Sequence, residues 1–263
     1  MKAQSKYDTI GKTYSETRKA DRRIVSVILE LIGEEKRNVL DIGAGTGNYS
    51  IELAKTGCRV LAVEPSEIMI GQSKLHANLR WIRSSVETLS LDETNFDAAI
   101  CVLSFHHFQD KKLAVRKIFE WLKPGGKLLI FTADPRMTDE NCWIKNYFRP
   151  FYDADCETVP ERKWMEQLLE TTFGSKVLFR DFPLPPDLTD QFFYANWRYP
   201  ERYLDEAVRR GSSVFSLLPE TKLEELLKNL KRDLEDGVWE KKYSRLRESD
   251  SYNGGYFFLL ISK

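Results

Sequence analysis

Apolar and polar residues alternate in blocks along the first half of the chain. Ile24, Val27, Ile28 and Leu31 recur at helical spacing and stop at Gly33, which predicts an amphipathic helix. Upstream, Tyr7, Gly11, Tyr14 and Arg18 share that spacing as a polar-aromatic helix face. Short apolar runs follow at 38–43 (NVLDIG), 59–65 (RVLAVEP), 79–84 (LRWIRS), 96–104 (FDAAICVLS) and 127–134 (KLLIFTAD). Nearly unbroken runs of this length mark strands covered on both faces, as in parallel sheets. Helices are expected between them over 48–57, over 66–77 with Ser66 as N-cap, and over 110–123, with a tight turn at Pro124-Gly125-Gly126.

The second half changes character. Residues 160–173 read as a helix, 176–184 as a strand and 255–262 as a last strand. The pattern is therefore α/β: a doubly wound, mostly parallel seven-stranded sheet. Residues 185–252 are aromatic and helical, and 221–234 carries Leu223, Leu226, Leu227, Leu230 and Leu234 on one face. Thr221 and Glu224 there have the spacing of a capping box. A strand after so long an excursion makes 185–252 a cap inserted over the sheet, the core being 1–184 plus 253–263.

Composition narrows the partners. Forty basic and forty acidic residues give a formal net charge of +0, without the basic surplus of a nucleic-acid binder. No apolar run reaches the ~20 residues that cross a bilayer. The opening MKAQSKYDTIGK lacks the apolar core of a secretory signal. Cys58, Cys101, Cys142 and Cys156 form no CxxC pair, and Cys58 and Cys101 read as buried thiols. A cytoplasmic protein with neither nucleic acid nor membrane as partner, and no metal site, is expected; nothing in the pattern dictates an oligomeric state.

The first strand runs into glycines at 43, 45 and 47, followed by a helix. Such a turn lets the backbone approach a ligand and presents helix N–H groups to it. The spacing is G-x-G-x-G, with Asn48 where a dinucleotide fingerprint has its third glycine, and no Gly-Lys-Ser/Thr follows as a phosphate loop requires. Asp41 suits a cationic amine, and Glu64 at the end of the second strand suits ribose hydroxyls.

With LDIGAGTGNYS, AVEPSEIM, SSVETLSL, ICVLSFHHFQD and LKPGGKLLI in order across 39–131, the chain resembles the class I S-adenosylmethionine-dependent methyltransferases. The resemblance implies S-adenosyl-L-methionine as cofactor and a Rossmann-like fold. Asp41, Gly43, Gly45 and Gly47 would surround its methionyl part, and Glu64 beside Pro65 would hold the ribose. Met69 or Ile68 would pack on adenine, with Ser85, Val86, Glu87 and Leu103 around the base and the reacting end. Ser85 stands where many relatives carry Asp. Tyr7, Tyr14 and Arg18 resemble the lid helix that reaches the cofactor's carboxylate.

His106 and His107 follow the fourth strand at its carboxyl end, where an imidazole can deprotonate a hydroxyl or orient an amine. The sequence has LSFHH there, not the NPPY-type motif of base-modifying relatives. The acceptor pocket is expected from 134–161 and 185–215, with Phe105, Trp143, Tyr147, Trp197 and Tyr203 as its contacts. Phe151, Phe192, Phe193, Tyr194 and Tyr199 are further aromatics of those segments, and for any single ring the cap's own core is the simpler place. Arg198, Arg202, Arg209 and Arg210 suit either an acidic substrate group or a solvated helix face. The expected function is transfer of a methyl group to O or N of a small to medium organic molecule. The alternatives are a peptide or protein side chain as acceptor, a cofactor-binding protein without transferase activity, or a nicotinamide-dependent dehydrogenase.

Overall fold

The computed structural model describes residues 17–33, 37–92, 94–212, 214–215 and 218–263. Seven strands form one sheet in the order β3-β2-β1-β4-β5-β7-β6. They are β1 (Asn38–Ile42), β2 (Arg59–Val63), β3 (Leu79–Ile82), β4 (Phe96–Val102), β5 (Leu122–Ala133), β6 (Leu178–Asp181) and β7 (Tyr256–Ser262). The first five pair in parallel, and β7 is antiparallel to both β5 and β6.

Side chains alternate strictly between the two faces, as strand geometry demands. Val39, Val60, Ala62, Ala98, Ile100, Leu129 and Phe131 join one apolar cluster, while Leu40, Ile42, Leu61, Val63, Ala99, Cys101, Leu128 and Ile130 join the other. Ile24, Val27, Ile28 and Ile32 of helix Arg22–Ile32 cover the first face, together with Leu53 and Ala54 of Asn48–Lys55. Helices Lys111–Trp121 and Arg162–Phe173 cover the second through Val115, Ile118, Met165 and Leu169. A helix on each face is what makes these strands unbroken apolar runs.

Three local expectations are corrected. The helix over 66–77 is a single turn, Glu67–Ile70, capped by Ser66 as expected. Beyond Met69 no apolar residue returns at helical spacing except Leu75, and Leu75 lies 96% exposed, so nothing holds a longer helix down. His76 there accepts at Nδ1 from the backbone of Asn78, shaping the turn into β3. Pro124-Gly125-Gly126 lies inside β5 as an irregular segment, where the pairing with β4 shifts register between Phe96 and Ala98. Helix Glu220–Glu235 starts beside Pro219 with no side-chain cap, so the Thr221–Glu224 box does not form. Proline's fixed φ sets that entry two residues earlier than Thr221.

Residues 185–252 lie between β6 and β7 and continue the first-face cluster. They pack against helices Trp143–Tyr147 and Arg149–Thr158, so two separate stretches build the layer beyond the sheet. Trp143 stands edge-on to Tyr203 (5.2 Å) and Trp239 (5.8 Å) and donates its Nε1 hydrogen to the carbonyl of Trp197 at 2.7 Å. Cys58, Cys101 and Cys142 are buried free thiols. No helix among the described residues is long and apolar enough to cross a membrane.

Candidate functional site

A cavity of about 620 Å³ opens at the carboxyl ends of β1, β2 and β4. Gly43, Ala44, Gly45, Thr46 and Asn48 form its floor, Glu64, Pro65 and Met69 one side, and Ser85, Val86 and Glu87 the far end. Gly43 has φ +71°, and a Cβ there would come within 2.6 Å of the Ser104 Cβ. The loop stays close because the Gly43 and Ala44 N–H groups both donate to the carbonyl of Val63 at the end of β2. Only glycine meets both demands.

Glu64 is 7% exposed, and its carboxylate is held from two sides. Gly45 N donates to Oε2 and Ser66 N to Oε1, each at 3.0 Å. Burial raises its pKa, and these two bonds act against the rise. Each oxygen accepts a single backbone bond and so retains capacity to accept from a hydroxyl in the cavity that Glu64 lines. The Thr46 hydroxyl at the same wall is buried with no partner among the described residues. A polar atom so placed calls for a ligand's hydrogen bond.

Two expected residues stand elsewhere. Asp41 is behind the loop, not in the cavity wall: it is 2% exposed and accepts from Ser50 Oγ at 2.5 Å. Burial pushes its carboxyl up to about 7, helped by the charge of Glu64 and opposed by the Ser50 bond. The alternation of β1 makes this placement unavoidable, since Leu40 and Ile42 belong to the opposite face. Gly47 also misses the wall. It is the left-handed N-cap of Asn48–Lys55, and a Cβ there would strike the Trp81 ring at 2.6 Å.

Arg18 does line the cavity. Its guanidinium pairs with Asp190, a buried carboxylate from the cap that also accepts from the Tyr49 hydroxyl at 2.9 Å. Asn48 in turn donates its side-chain amide to the Arg18 carbonyl. Arg18 therefore ties the cap to the glycine loop, a role the sequence reading missed because Asp190 lies 172 positions away. Tyr7 and Tyr14 lie outside the described residues.

A second cavity of about 110 Å³ adjoins the first. Arg18, Leu103 and His107 belong to both walls, and His106 to the second alone. The two imidazoles stack tilted, with centroids 3.9 Å apart. Leu103 has φ +52°, the sole positive φ of a non-glycine among the described residues. Its N–H donates to the carbonyl of Phe131, which pins that strained backbone at the end of β4.

The expected acceptor contacts are corrected in part. Phe192, Phe193 and Tyr194 do line the second cavity, joined by Tyr256 and Asp155, which the sequence reading did not single out. Trp143 and Trp197 are fully buried and Tyr203 is 2% exposed; they form the cap's core and line neither cavity. Phe105 is buried in the second-face cluster, edge-on to Phe108, and Tyr147 donates its hydroxyl to Asp233 at 2.8 Å away from the site. Ile68 is likewise absent from the wall that Met69 forms. The cap arginines serve structure: Arg198 donates to the Arg247 carbonyl, Arg202 to Asn196, Arg209 to the Tyr203 carbonyl, and Arg210 pairs with Glu206. Among the described residues no group of His, Cys, Asp and Glu is placed to hold a metal ion.

Residues 40–130 match the family described as a methyltransferase domain. A solved structure described as a putative methyltransferase from an antibiotic biosynthesis pathway of Anabaena variabilis is 34% identical. It covers 94% of this chain and 99% of its own, with a TM-score of 0.89. The ubiquinone biosynthesis O-methyltransferase of Coxiella burnetii is 35% identical over 103 residues, and the ubiquinone/menaquinone biosynthesis C-methyltransferase of Pasteurella multocida 28% over 120. Those matches cover 37% and 42% of this chain and 44% and 45% of the relatives' own lengths, so the chain spans less than half of either relative. With the glycine turn, the Glu64 wall and a full-length relative in agreement, this chain belongs to the class I S-adenosylmethionine-dependent methyltransferases.

Proposed function

We propose that the protein methylates an oxygen or nitrogen atom of a small organic molecule. The observation that carries this reading is the shared wall: Arg18, Leu103 and His107 face both a large cavity and a small one lined by aromatic rings. Cavities that share these three residues adjoin, so a donor in one and an acceptor in the other meet where the cavities join, as an in-line displacement requires.

In the larger cavity Glu64 holds the ribose hydroxyls, and the backbone at Gly43 and Gly45 admits the methionyl part. Met69 packs on adenine, with Ser85, Val86 and Glu87 at its edge. Glu87 is held for this by the backbone N–H groups of Gln109 and Asp110. Asp41 acts through Ser50, steadying the loop from behind. S-adenosylmethionine, when bound, supplies an electrophilic methyl on a sulfonium. His107 receives the proton of an acceptor hydroxyl, or orients an amine, because it reaches both cavities. Rings from the cap exclude water from the reacting atoms. The small volume of the aromatic cavity, about 110 Å³, favours a small acceptor over a peptide.

The test is calorimetric titration with S-adenosylmethionine, S-adenosylhomocysteine and NAD, followed by a methyl-transfer screen against phenols and amines. Binding of the adenosyl compounds without an NAD signal, and turnover of at least one acceptor, is the expected result. Preferential NAD binding overturns the cofactor assignment. Binding without turnover across the whole panel overturns the transferase reading.

A further inference from the structure

The wall of the larger cavity contains an acidic side chain that the proposed function leaves unused. Asp190 comes from the cap, is 1% exposed, and lines the cavity together with Arg18, Asn48 and Tyr49. Its Oδ1 accepts from Arg18 Nε, and its Oδ2 accepts from the Tyr49 hydroxyl at 2.9 Å and from Arg18 Nη2 at 3.4 Å. An ionised carboxylate offers about four acceptor positions, so this one retains room for a further donor. The other acidic groups nearby are already committed. Asp41, whose place in the sequence suits a cationic amine, accepts from Ser50 and is absent from this wall. Glu64 is fixed by Gly45 and Ser66, and Glu87 by Gln109 and Asp110 at the far end. Asp190 stands at the opposite, glycine-loop end, because Tyr49 in the first turn of helix Asn48–Lys55 holds it there.

We infer that Asp190 receives the ammonium of the cofactor's amino-acid end, beside Arg18 facing its carboxylate. The inference rests on the proposed function for the larger cavity as the cofactor's, and adds a binding residue supplied by the cap. The α-ammonium and α-carboxylate sit on one carbon, so that end of the cofactor is itself a side-by-side pair of opposite charges. The Arg18–Asp190 pair is the same arrangement in protein side chains. Set against each other in the opposite sense, the two pairs give every charge an opposite neighbour, so none is buried unpaired. A simple cation or a simple anion would meet only half of this arrangement. Asp190 is followed in the chain by Phe192, Phe193 and Tyr194, which line the second cavity. One short cap segment therefore serves both ligands.

The probes are S-adenosylhomocysteine, its analogue lacking only the α-amino group, and 5′-methylthioadenosine, which lacks the whole amino-acid end. Each is titrated calorimetrically into the full chain. S-adenosylhomocysteine is expected to bind at least about tenfold more tightly than the deamino analogue. Asp190→Asn removes that preference and leaves 5′-methylthioadenosine affinity unchanged, which also reports that the variant is folded. Asp190→Ser, which likewise removes the charge, is the second variant and is expected to behave alike. Were Asp190 only a clamp on Arg18, its substitution would weaken both carboxylate-bearing probes equally and leave the preference intact; that result overturns the inference. Equal binding of those two probes to the unaltered protein, with 5′-methylthioadenosine bound, overturns the inference alone. Binding of none of the three overturns the proposed function, and the inference with it.

Discussion

The two cavities that meet at Leu103 are made of different materials. The larger rests on backbone geometry: the loop of Gly43 and Gly45, the N–H groups fixing Glu64, and the strand ends of β1, β2 and β4. The smaller is built from side chains, carried by helix Arg149–Thr158, by the cap and by the start of β7. A backbone site is tied to the sheet, and changing it disturbs hydrogen bonds that hold the strands in place. A side-chain site can be rewritten one residue at a time. Family membership is therefore written in the first cavity and individuality in the second.

That contrast can be attacked directly. The largest effect is expected at the shared wall: His107→Ala should lower turnover by about 10²–10⁴-fold while sparing S-adenosylhomocysteine affinity, as for a lost general base. A parallel loss of cofactor affinity would erase the division between the cavities. Trp143→Ala removes the ring at the centre of the cap and should cost about 3–5 kcal/mol of stability, read from the denaturant midpoint. Glu64→Ala should weaken cofactor binding by about 1.5–3 kcal/mol, roughly 10- to 150-fold, with the folded state retained by circular dichroism.

Asp41 sharpens the comparison through pH. Its carboxyl stands at about 7 in the folded protein and near ~4 in the unfolded chain. Between those values the folded state holds a proton that the unfolded chain has lost, so stability falls as pH rises through the window. The fall is on the order of 2 kcal/mol from about pH 5 to 7, and Asp41→Asn should flatten it in urea titrations at the two pH values. The smallest effect belongs to Thr221→Ala, which should change stability by no more than ~0.5 kcal/mol, because no cap is lost.

The sheet was legible because strands buried on both faces leave unbroken apolar runs, and Gly43, Gly45 and Glu64 were legible because a tight loop restricts which residues fit. Elsewhere the signal was degenerate. Trp143 and Phe193 look alike in a sequence, yet one centres the cap and the other lines a cavity; ring type does not say which side of a wall a ring takes. Asp190 was invisible for another reason. Its partners Arg18 and Tyr49 lie 172 and 141 positions away, and nothing local to Asp190 distinguishes a buried clamp from a solvated carboxylate. The helix over 66–77 was overread because polar residues of good propensity, without an apolar stripe, have nothing to dock against.

The cap leaves and rejoins the core at a single point. Leu184 and Tyr252 exchange both backbone hydrogen bonds, at 2.8 and 2.9 Å, as an isolated antiparallel bridge just before β7. Residues paired this way have Cα atoms only ~5.5 Å apart. Sixty-odd intervening residues therefore hang from the sheet as a closed loop on one stem. The chain of the cap is thus severable at one stem, while its packing is not: removing it would strip Phe192 from Phe131 of β5 and Asp190 from Arg18, so the excursion and the sheet share one core.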